Sequence, residues 1–168
     1  MARMLPTLTA GAITLRPQRE EDLAVLGAFL EDESVARWFE DDRVDELRAG
    51  DDEVFTILEH EAVAGWLLIE QERHPQYRVA SVDLMLGPAF QGRGLGPAVL
   101  RLILRWLFDE QGHHRCTIDP AAANAHAIAA YRKVGFQDVG IVRQSSPMPG
   151  GGFEDGLLMD LLRDELRE

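Results

Sequence analysis

The sequence has a single cysteine, Cys116, and lacks any long unbroken apolar run. One cysteine cannot form a disulfide within the chain. A membrane-spanning helix needs about 18 or more consecutive apolar residues, so we expect no spanning segment. Met1 to Ala10 lack a basic region followed by an apolar core, which argues against a secretory signal. We therefore expect a cytoplasmic protein.

Basic residues are also scarce: 17 lysines and arginines stand against 29 aspartates and glutamates, for a net charge of −12. The imbalance is concentrated between Glu20 and Glu61, where 16 acidic residues and three arginines give a local charge of −13. An acidic surface argues against nucleic acid and anionic lipid as partners. The segment either attracts a cationic partner or simply forms a solvated face, and both interpretations stay open.

What the sequence does contain is a glycine-rich turn between two apolar stretches, Ser81 to Leu86 and Pro97 to Gln111. This order predicts a strand, a turn and a helix, with Pro97 at the first helical position. Backbone N–H groups at a helix N-terminus favour a negatively charged ligand, and glycine lets the main chain approach a phosphate. The residues of the turn are Gln91, Gly92, Arg93, Gly94, Leu95 and Gly96.

Three kinds of phosphate site are compatible with a turn of this type. A P-loop requires Lys and Ser or Thr after its last glycine, and Gly96 is followed by neither. A dinucleotide fingerprint has a longer glycine spacing and an acidic residue about 20 positions on, where this chain has His114. A coenzyme A pyrophosphate site of the form Q-x-x-G-x-G is matched by Gln91, Gly94 and Gly96. A strand–helix turn without a ligand is the remaining alternative.

A second motif, N-x-x-A-x-x-x-Y-x-K-x-G-F, begins at Asn124 and includes Tyr131. In their order and spacing, the two motifs resemble those of the GNAT superfamily of N-acetyltransferases. The resemblance extends from Ser81 to about Val142, whereas the first 80 residues match only loosely. It implies a single GNAT domain over residues 1–168, with a mixed α/β sheet and flanking helices.

The resemblance also implies roles for particular residues. The backbone of Met85 and Leu86 and the turn from Gln91 to Gly96 would hold acetyl-CoA. Asn124 would contact the pantetheine arm, and Tyr131 would face the sulfur. Arg93 and the turn amides would supply the donors that the anionic cofactor needs.

Within the superfamily, the chain resembles the aminoglycoside 6′-N-acetyltransferases. In that family an acidic residue at the position of Asp83 serves as catalytic base, and one at the position of Asp119 helps to bind the cationic drug. The spacing from Asp83 to the glycines is one residue shorter here, and the N-terminal substrate region matches poorly. Acyltransferases that modify a lysine-type amine in siderophore assembly share much of the pattern. The matching segments are Val82-Asp83, Thr117 to Pro120, Asn124 and Ala127-Ile128.

Acetyl transfer to an amine requires that the amine lose a proton, and Asp83 is the predicted base. Strand alternation would place Asp83 and Met85 on one face of the sheet, opposite Val82, Leu84 and Leu86. The alternative is an Asp bonded to a neighbouring backbone group or arginine. A backbone N–H near Leu84 to Leu86 would stabilise the carbonyl oxygen if the strand is splayed or bulged there. The Tyr131 hydroxyl would assist the departing thiol, unless Tyr131 simply packs on the sheet.

Several aromatic and acidic residues are candidates for the acceptor site. Trp38 and Phe39 would form a wall of the amine site, and core packing is equally compatible with both. Asp119 would bind the substrate or cap a turn, and Glu70 would pair with substrate charge.

The histidine pair and the cysteine of this sequence do not indicate metal binding or covalent catalysis. His113 and His114 have no third ligand at a useful spacing, so we expect no metal. Cys116 has no histidine to activate it, so we expect direct transfer in a ternary complex rather than an acyl-enzyme.

The pattern of apolar residues predicts about seven strands and their connecting helices in one domain. A short hairpin turn is predicted at Glu61-Ala62 and a Pro- and Gly-rich loop at Ser145 to Gly152. The predicted strands are Ile13 to Arg16, Val54 to His60, Val63 to Gln71, Val79 to Leu86, Cys116 to Ile118, Phe136 to Val142 and Gly156 to Leu161. The predicted helices are Glu20 to Leu30, Asp32 to Phe39 with a continuation from Arg43 to Arg48, Pro97 to Gln111, and Asn124 to Val134.

The sequence therefore predicts an acetyl-CoA-dependent N-acetyltransferase acting on a cationic small molecule, with an aminoglycoside 6′-amine as the leading acceptor. A lysine-type or protein amine is the alternative acceptor. A non-catalytic acyl-CoA sensor is the alternative of another class. The last strand and the loop from Ser145 to Gly152 would serve a homodimer.

Overall fold

The computed structural model describes residues 4–39, 45, 47 and 53–168. These residues contain eight strands: β1 (Leu8–Ala10), β2 (Ile13–Pro17), β3 (Glu53–Glu59), β4 (Ala62–Glu72), β5 (Val79–Leu86), β6 (Arg115–Ile118), β7 (Gln137–Pro147) and β8 (Phe153–Leu162). They form one sheet in the order β1-β2-β3-β4-β5-β6-β8-β7. The β5–β6 pair is parallel, and the other neighbouring pairs are antiparallel.

The helices with described bounds are α1 (Leu23–Leu30), α2 (Glu33–Ala36), α3 (Leu95–Arg105) and α4 (Ala125–Val134). A π-helical turn, Trp106–Glu110, continues α3. Short 3-10 turns occupy Glu20–Asp22, Pro88–Phe90 and Arg163–Glu165. The mixed sheet with flanking helices confirms the predicted fold class.

Apolar side chains cover the sheet on both faces. On one face, α3 and α4 pack on a large core, and on the other, α1 and α2 pack on a smaller one. Strand β5 contributes Val82 and Leu84 to the first core and Met85 to the second, which confirms the predicted alternation. Trp66 and Met85 are fully buried beneath α1, so Asp83 shares its face of the sheet with this smaller core.

A buried ion pair anchors the start of α1 to the sheet. The guanidinium of Arg16 donates to both carboxylate oxygens of Asp22 at 2.7 and 2.8 Å. The Thr56 hydroxyl and the Arg19 backbone N–H donate to the same carboxylate at 2.7 and 2.9 Å. Burial opposes ionisation of Asp22, but these hydrogen bonds outweigh it and lower its pKa to about 2. This network was not identified from the sequence.

The C-terminal part of α1 packs on the chain just before the glycine-rich turn. The Phe29 ring lies over Gly87, where an added Cβ would come within 2.6 Å of the ring. Phe29 also meets Phe90 edge-on, with 6.3 Å between the ring centroids. Helix α1, which leads into the Trp38 segment, is therefore in contact with the residues that immediately precede the glycine-rich turn.

Three predictions about the strands and their connections need correction. The sheet has eight strands rather than about seven, because the three-residue β1 is too short to show an alternating pattern. Strand β7 continues to Pro147, so the loop predicted from Ser145 begins instead at Met148. The β3–β4 turn is His60-Glu61, one position earlier than predicted, and both residues have positive φ, at 48° and 71°. Two positive φ values give the twist that a two-residue hairpin needs, without the usual Asn-Gly.

Two helix predictions also need correction. Helix α3 begins at Leu95, which places Pro97 at the third helical position rather than the first. A proline is tolerated there because the N–H groups of a first helical turn have no intrahelical acceptor. Helix α2 is shorter than the predicted Asp32 to Phe39. The predicted continuation from Arg43 to Arg48 lies outside the described residues, apart from the helical positions 45 and 47.

Candidate functional site

A large cleft opens where β5 and β6 separate. Their pairing covers Val79–Ser81 opposite Arg115–Thr117 and ends there within the described residues. Beyond this point β5 continues to pair in register with β4 as far as Leu86. The resulting cleft has a volume of about 1210 Å³ and is lined by residues of α2, β5, the glycine-rich turn, the β6–α4 connection, α4 and the β7–β8 hairpin.

The backbone of β5 turns polar groups toward this cleft. The Gly87 N–H donates to the Ala64 carbonyl of β4 at 2.8 Å. Because hydrogen-bonding directions alternate along a strand, the main-chain groups of Leu84 and Leu86 point away from β4. In agreement, the Leu86 carbonyl accepts a bond from the Gln91 side chain at 2.9 Å. The strand is therefore splayed rather than bulged, and its register with β4 has no shift over the described pairs.

The glycine-rich turn forms one end of the cleft. Gly92 and Gly94 have φ values of 70° and 79°, a region that residues with a Cβ rarely adopt. Gly94 is the N-cap of α3, and the Ala98 N–H donates back to its carbonyl at 3.3 Å. The N–H groups of Leu95 and Gly96 belong to the first helical turn, where intrahelical acceptors do not exist. These two amides and the positive end of the helix dipole form a site for an anion at the cleft wall.

The space that a side chain would occupy at Gly96 is open. An added Cβ there would find Leu86 Cδ1, at 3.7 Å, as its nearest neighbour among the described residues. The backbone of Gly96 has no positive φ, so neither packing nor conformation requires glycine at this position. A ligand that approaches the main chain closely would give such a requirement.

Helix α4 forms the opposite wall of the same end. Asn124 is its N-cap, its side-chain oxygen accepts the Ala127 N–H at 3.2 Å, and the residue lines the cleft. Farther along the helix, His126, Ala130 and Lys133 also line the cleft. Lys133 is the one lysine in the sequence. This end combines backbone amides with basic side chains.

Asp83 and Tyr131 lie between the two ends. Asp83 is partly buried in β5, and Tyr131 is partly buried against the main core, and both line the cleft. Burial, followed by the nearby carboxylates of Asp83 and Asp119, raises the pKa of the Tyr131 phenol. The phenol therefore keeps its proton at neutral pH and acts as a hydrogen-bond donor. Asp83, Asp119 and Tyr131 thus line one cleft, and their catalytic and binding roles stay predictions.

The other end of the cleft is formed by side chains from distant segments. Glu33, Trp38 and Phe39 line it on the α2 side, and Glu154 with residues 145–150 lines it on the side of the β7–β8 hairpin. Phe39 also packs edge-on against Trp66, with 5.4 Å between ring centroids, so it belongs to both the cleft wall and the smaller core. Asp119 is exposed and faces this end from the β6–α4 connection.

Two predicted site residues lie away from the cleft lining. Glu70 is exposed on β4, and its carboxylate accepts a bond from the Ser81 hydroxyl at 3.3 Å. Arg93 points out of the turn and pairs with Glu59 at 2.6 Å, with its guanidinium 5.6 Å from the Phe90 ring centroid. The remaining predicted residues, Met85, Leu86, Gln91, Gly92, Gly94, Leu95, Gly96, Asn124, Asp119 and Trp38, all line the cleft.

Several residues that line the cleft were not predicted from the sequence, Glu33 among them. Arg37 and Glu154 form an ion pair between residues far apart in the chain, which no local pattern reveals. His126 and Lys133 were not assigned to the cleft, although both lie within the second motif. His126, Ala130 and Lys133 recur at i, i+4 and i+7 and so share one helical face, but this spacing alone does not indicate that the face lines the cleft.

The groups considered for other chemistry are buried elsewhere. Cys116 lies in the main core, and burial raises the pKa of its thiol, which makes it a poor nucleophile. The buried His113 ring shares a hydrogen bond of 2.7 Å with Gln71. Within the described ranges, His, Cys, Asp and Glu do not form a cluster able to hold a metal ion. A search of the same ranges finds no helix both long and apolar enough to cross a membrane.

Comparison with known proteins gives one family and several relatives. A family model described as "Acetyltransferase (GNAT) domain" matches residues 12–137. An aminoglycoside N(6′)-acetyltransferase type 1 of Klebsiella pneumoniae is 26% identical over 156 residues, covering 78% of this chain and 77% of that protein. A ribosomal protein bS18-alanine N-acetyltransferase of Salmonella typhimurium is 37% identical over 82 residues, covering 47% and 52% of the two chains. The solved structure of Mycobacterium smegmatis RimJ in complex with CoA-disulfide has a TM-score of 0.80 at 23% identity, covering 97% of this chain and 88% of that one.

Proposed function

The chain belongs to the GNAT acetyltransferase family, whose members take the acetyl group from acetyl-CoA, and we propose that it acetylates a primary amine of a cationic small molecule. The leading acceptor is the 6′-amine of an aminoglycoside. The observation that carries the proposal is the composition of one continuous cleft. The glycine-rich turn and α4, called here its first end, contribute helix N-terminal amides and basic side chains, the α2 segment and the β6–α4 connection contribute carboxylates, and Asp83 and Tyr131 line the same cleft.

The first end fits the diphosphate of acetyl-CoA. The amides of Leu95 and Gly96 lack intrahelical acceptors, and the space above Gly96 allows a phosphate to reach them. Lys133 adds positive charge on the facing wall, which His126 also lines. Among the cleft-lining residues described for the turn and α4, none carries a carboxylate that would repel a phosphate. Arg93 would contribute only after leaving Glu59.

Asp83 is the proposed proton acceptor. A lysine-like amine has a pKa of about 10.4, so removing its proton at pH 7 costs about 4 to 5 kcal/mol. A carboxylate at the reacting amine offsets part of this cost by taking the proton directly or through a water molecule. Asp83 lies on the strand whose free main-chain edge lines the cleft, which places the base and the main-chain donors on neighbouring residues.

Main-chain N–H groups and Tyr131 would stabilise the negative charge that develops on the acetyl oxygen and on the departing sulfur. Acetyl-CoA supplies the acetyl group, so the new C–N bond forms as the C–S bond breaks. The N–H of Leu84 or Leu86 would donate to the acetyl oxygen, which gains negative charge on the way to the transition state. The raised pKa of Tyr131 suits a hydrogen-bond donor to the departing sulfur and rules out a role as base. The acceptor ammonium would lose two protons: the first goes to Asp83 and from there to solvent, and the second leaves the nitrogen as the C–S bond breaks and is balanced by the proton that the thiolate takes up from solvent.

The acceptor assignment rests on charge and on similarity. Glu33, Asp83 and Asp119 line one region of the cleft, which favours an acceptor with several ammonium groups. The aminoglycoside N(6′)-acetyltransferase of Klebsiella pneumoniae aligns over most of both chains. The acetyl group would pass directly between the two substrates, because Cys116 is buried outside the cleft lining.

A thiol-release assay with two matched drugs tests the proposal. Kanamycin A carries an amine at position 6′, whereas kanamycin C carries a hydroxyl there and has its amine at 2′. We expect acetyl-CoA-dependent thiol release and a single added acetyl group with kanamycin A, and release at the background rate with kanamycin C. Equal rates with the two drugs would reject the 6′ assignment.

A peptide or protein amine is the second candidate acceptor. It is favoured by the similarity to the ribosomal protein bS18-alanine N-acetyltransferase, of whose length the chain covers about half. In the same assay, release with an N-terminal alanine peptide or a lysine derivative, and none with kanamycin A, would select this candidate. Acetyl-CoA binding without release on any amine would instead indicate a sensor.

A further inference from the structure

The acceptor end of the cleft is the part lined by the α2 segment, Asp119 and the β7–β8 hairpin, and the cofactor end is the part lined by the glycine-rich turn and α4. An ion pair with two hydrogen bonds joins the two walls of the acceptor end. The guanidinium of Arg37 donates to Glu154 Oε1 and Oε2 at 2.9 and 3.1 Å. Arg37 directly follows α2, and Glu154 lies in β8, so the pair connects segments separated by 117 positions in sequence. Both side chains line the cleft.

The geometry of the pair is fixed from two directions. The two parallel hydrogen bonds set the plane of the Arg37 guanidinium, and the Trp38 ring lies 4.3 Å from its central carbon. The Glu154 side chain is 15% exposed and that of Arg37 is 36% exposed, so both remain accessible from the cleft. Arg37 and Glu154 thus present a fixed pair of charges to whatever occupies the acceptor end.

The pair changes the charge balance of this end. Hydrogen bonding by Arg37 lowers the pKa of Glu154, so the carboxylate is ionised and its charge is offset by the guanidinium. Glu33, Asp83 and Asp119 line the same cleft. Loss of Arg37 would add the full charge of Glu154 to these carboxylates, whereas loss of Glu154 would leave a cation facing a cationic acceptor.

We propose that Arg37 and Glu154 are specificity-determining residues that set how strongly the acceptor end discriminates between amines of different total charge. The inference rests on the proposed function, because it assumes that a cationic acceptor occupies this end. It makes a prediction that a purely structural bridge does not make: the two single substitutions change acceptor binding in opposite directions.

Equilibrium binding to the CoA-bound protein measures this effect without requiring turnover. The variants are Arg37→Met, Glu154→Gln and the double variant, and the probes are kanamycin A, with four amines, and the monocation N-acetyl-lysine methylamide. Exposed charge pairs change binding by roughly two- to fivefold. We expect Arg37→Met to bind kanamycin A tighter by this factor and Glu154→Gln to bind it weaker. The double variant should return near the wild-type value, and the monocation should respond less to all three.

A second two-point pair on α4 and β7 provides a matched control. Arg132 donates to both carboxylate oxygens of Asp138 at 3.1 and 2.6 Å, and neither residue lines the cleft. Arg132→Met and Asp138→Asn should leave kanamycin A binding unchanged. Thermal unfolding and acetyl-CoA affinity of all variants show whether the fold and the cofactor end are intact.

Shifts of Arg37→Met and Glu154→Gln in the same direction, or equal shifts for the monocation and kanamycin A, would overturn the inference. Opposite shifts in a protein that fails to acetylate kanamycin A would support the inference and reject the proposed acceptor. Acetylation of kanamycin A with unchanged binding in all three variants would support the proposed acceptor and overturn the inference. Failure of both probes to bind would overturn both proposals.

Discussion

The two ends of the cleft are formed from different parts of the chain and with different chemistry. The cofactor end is defined here as the glycine-rich turn with the facing side of α4, and the acceptor end as the α2 segment with Asp119 and the β7–β8 hairpin. The cofactor end relies on main-chain amides whose positions follow from local backbone conformation. The acceptor end relies on side chains brought together by tertiary folding, as the Arg37–Glu154 pair shows. Substitutions at the two ends should therefore affect different substrates.

Asp83→Asn should have the largest effect, because it removes the proton acceptor at the boundary between the two ends. We expect turnover to fall by roughly 10²- to 10⁴-fold, the range for loss of a general base. The KM for acetyl-CoA should stay within about twofold of wild type, since the cofactor end is unchanged. Steady-state kinetics measures both quantities, with the exposed Asp109→Asn as control. Turnover equal to that of the control would remove Asp83 from its proposed role.

The second-largest effect should come from acid, which removes the Arg16–Asp22 ion pair that anchors α1, the helix that leads into the acceptor end. The pKa of Asp22 is lowered from 3.8 to about 2 in the folded protein, so its ion pair stabilises the fold at pH values above about 4. This contribution, about 2 kcal/mol, is lost progressively as the pH falls from about 4 to below 2. Urea unfolding across this range should show the loss in wild type and a flatter profile in Asp22→Asn. Parallel profiles for the two proteins would contradict the assignment.

Gly96→Ala should affect the cofactor end alone. The added methyl group has room in the fold, and alanine is a better helix former than glycine, so thermal stability should not fall. The same methyl group would stand between the first-turn amides and a phosphate, so we expect a rise of roughly tenfold in the KM for acetyl-CoA. The acceptor KM should not change. Gly140→Ala is the matched control, because an added Cβ there meets nothing within 4 Å in the described part of the chain.

Tyr131→Phe should have the smallest effect, because it removes one hydrogen-bond donor and keeps the ring. We expect kcat to fall by about fivefold, with both KM values nearly unchanged. Burial raises the pKa of Tyr131 above its ordinary value of 10.0, so its ionisation should produce no fall in wild-type kcat below about pH 10. A fall in kcat near neutral pH that disappears in Tyr131→Phe would contradict this role.

The same contrast explains how much of the site could be predicted. The sequence predicted the strand, the glycine-rich turn and the helix start, because these depend on neighbouring residues such as the positive-φ Gly92 and Gly94. The cofactor-binding role of the turn stays a prediction. It also predicted that Asp83 and Met85 share a face, since strand alternation is local. The lengths of β1 and α2 were missed because such short elements carry too little periodicity.

The acceptor end was predicted less completely because its contacts join distant segments. Nothing in the local sequence of Arg37 indicates a bond to Glu154. At the cofactor end, in the same way, nothing near Arg93 indicates that it pairs with Glu59. Glu70 illustrates the same limit: it shares a face with Asp83, but its position along β4 leaves it outside the cleft lining.

The central claim is that first-turn amides of α3 hold the diphosphate of acetyl-CoA beside Asp83. Calorimetric titration of acetyl-CoA into the wild-type protein, at a near-physiological ionic strength of about 0.15 M, tests it most directly. The account predicts saturable binding to one site per chain, retained in Asp83→Asn and weakened in Gly96→Ala. Absence of saturable binding, or equal affinity in wild type and Gly96→Ala, would contradict it.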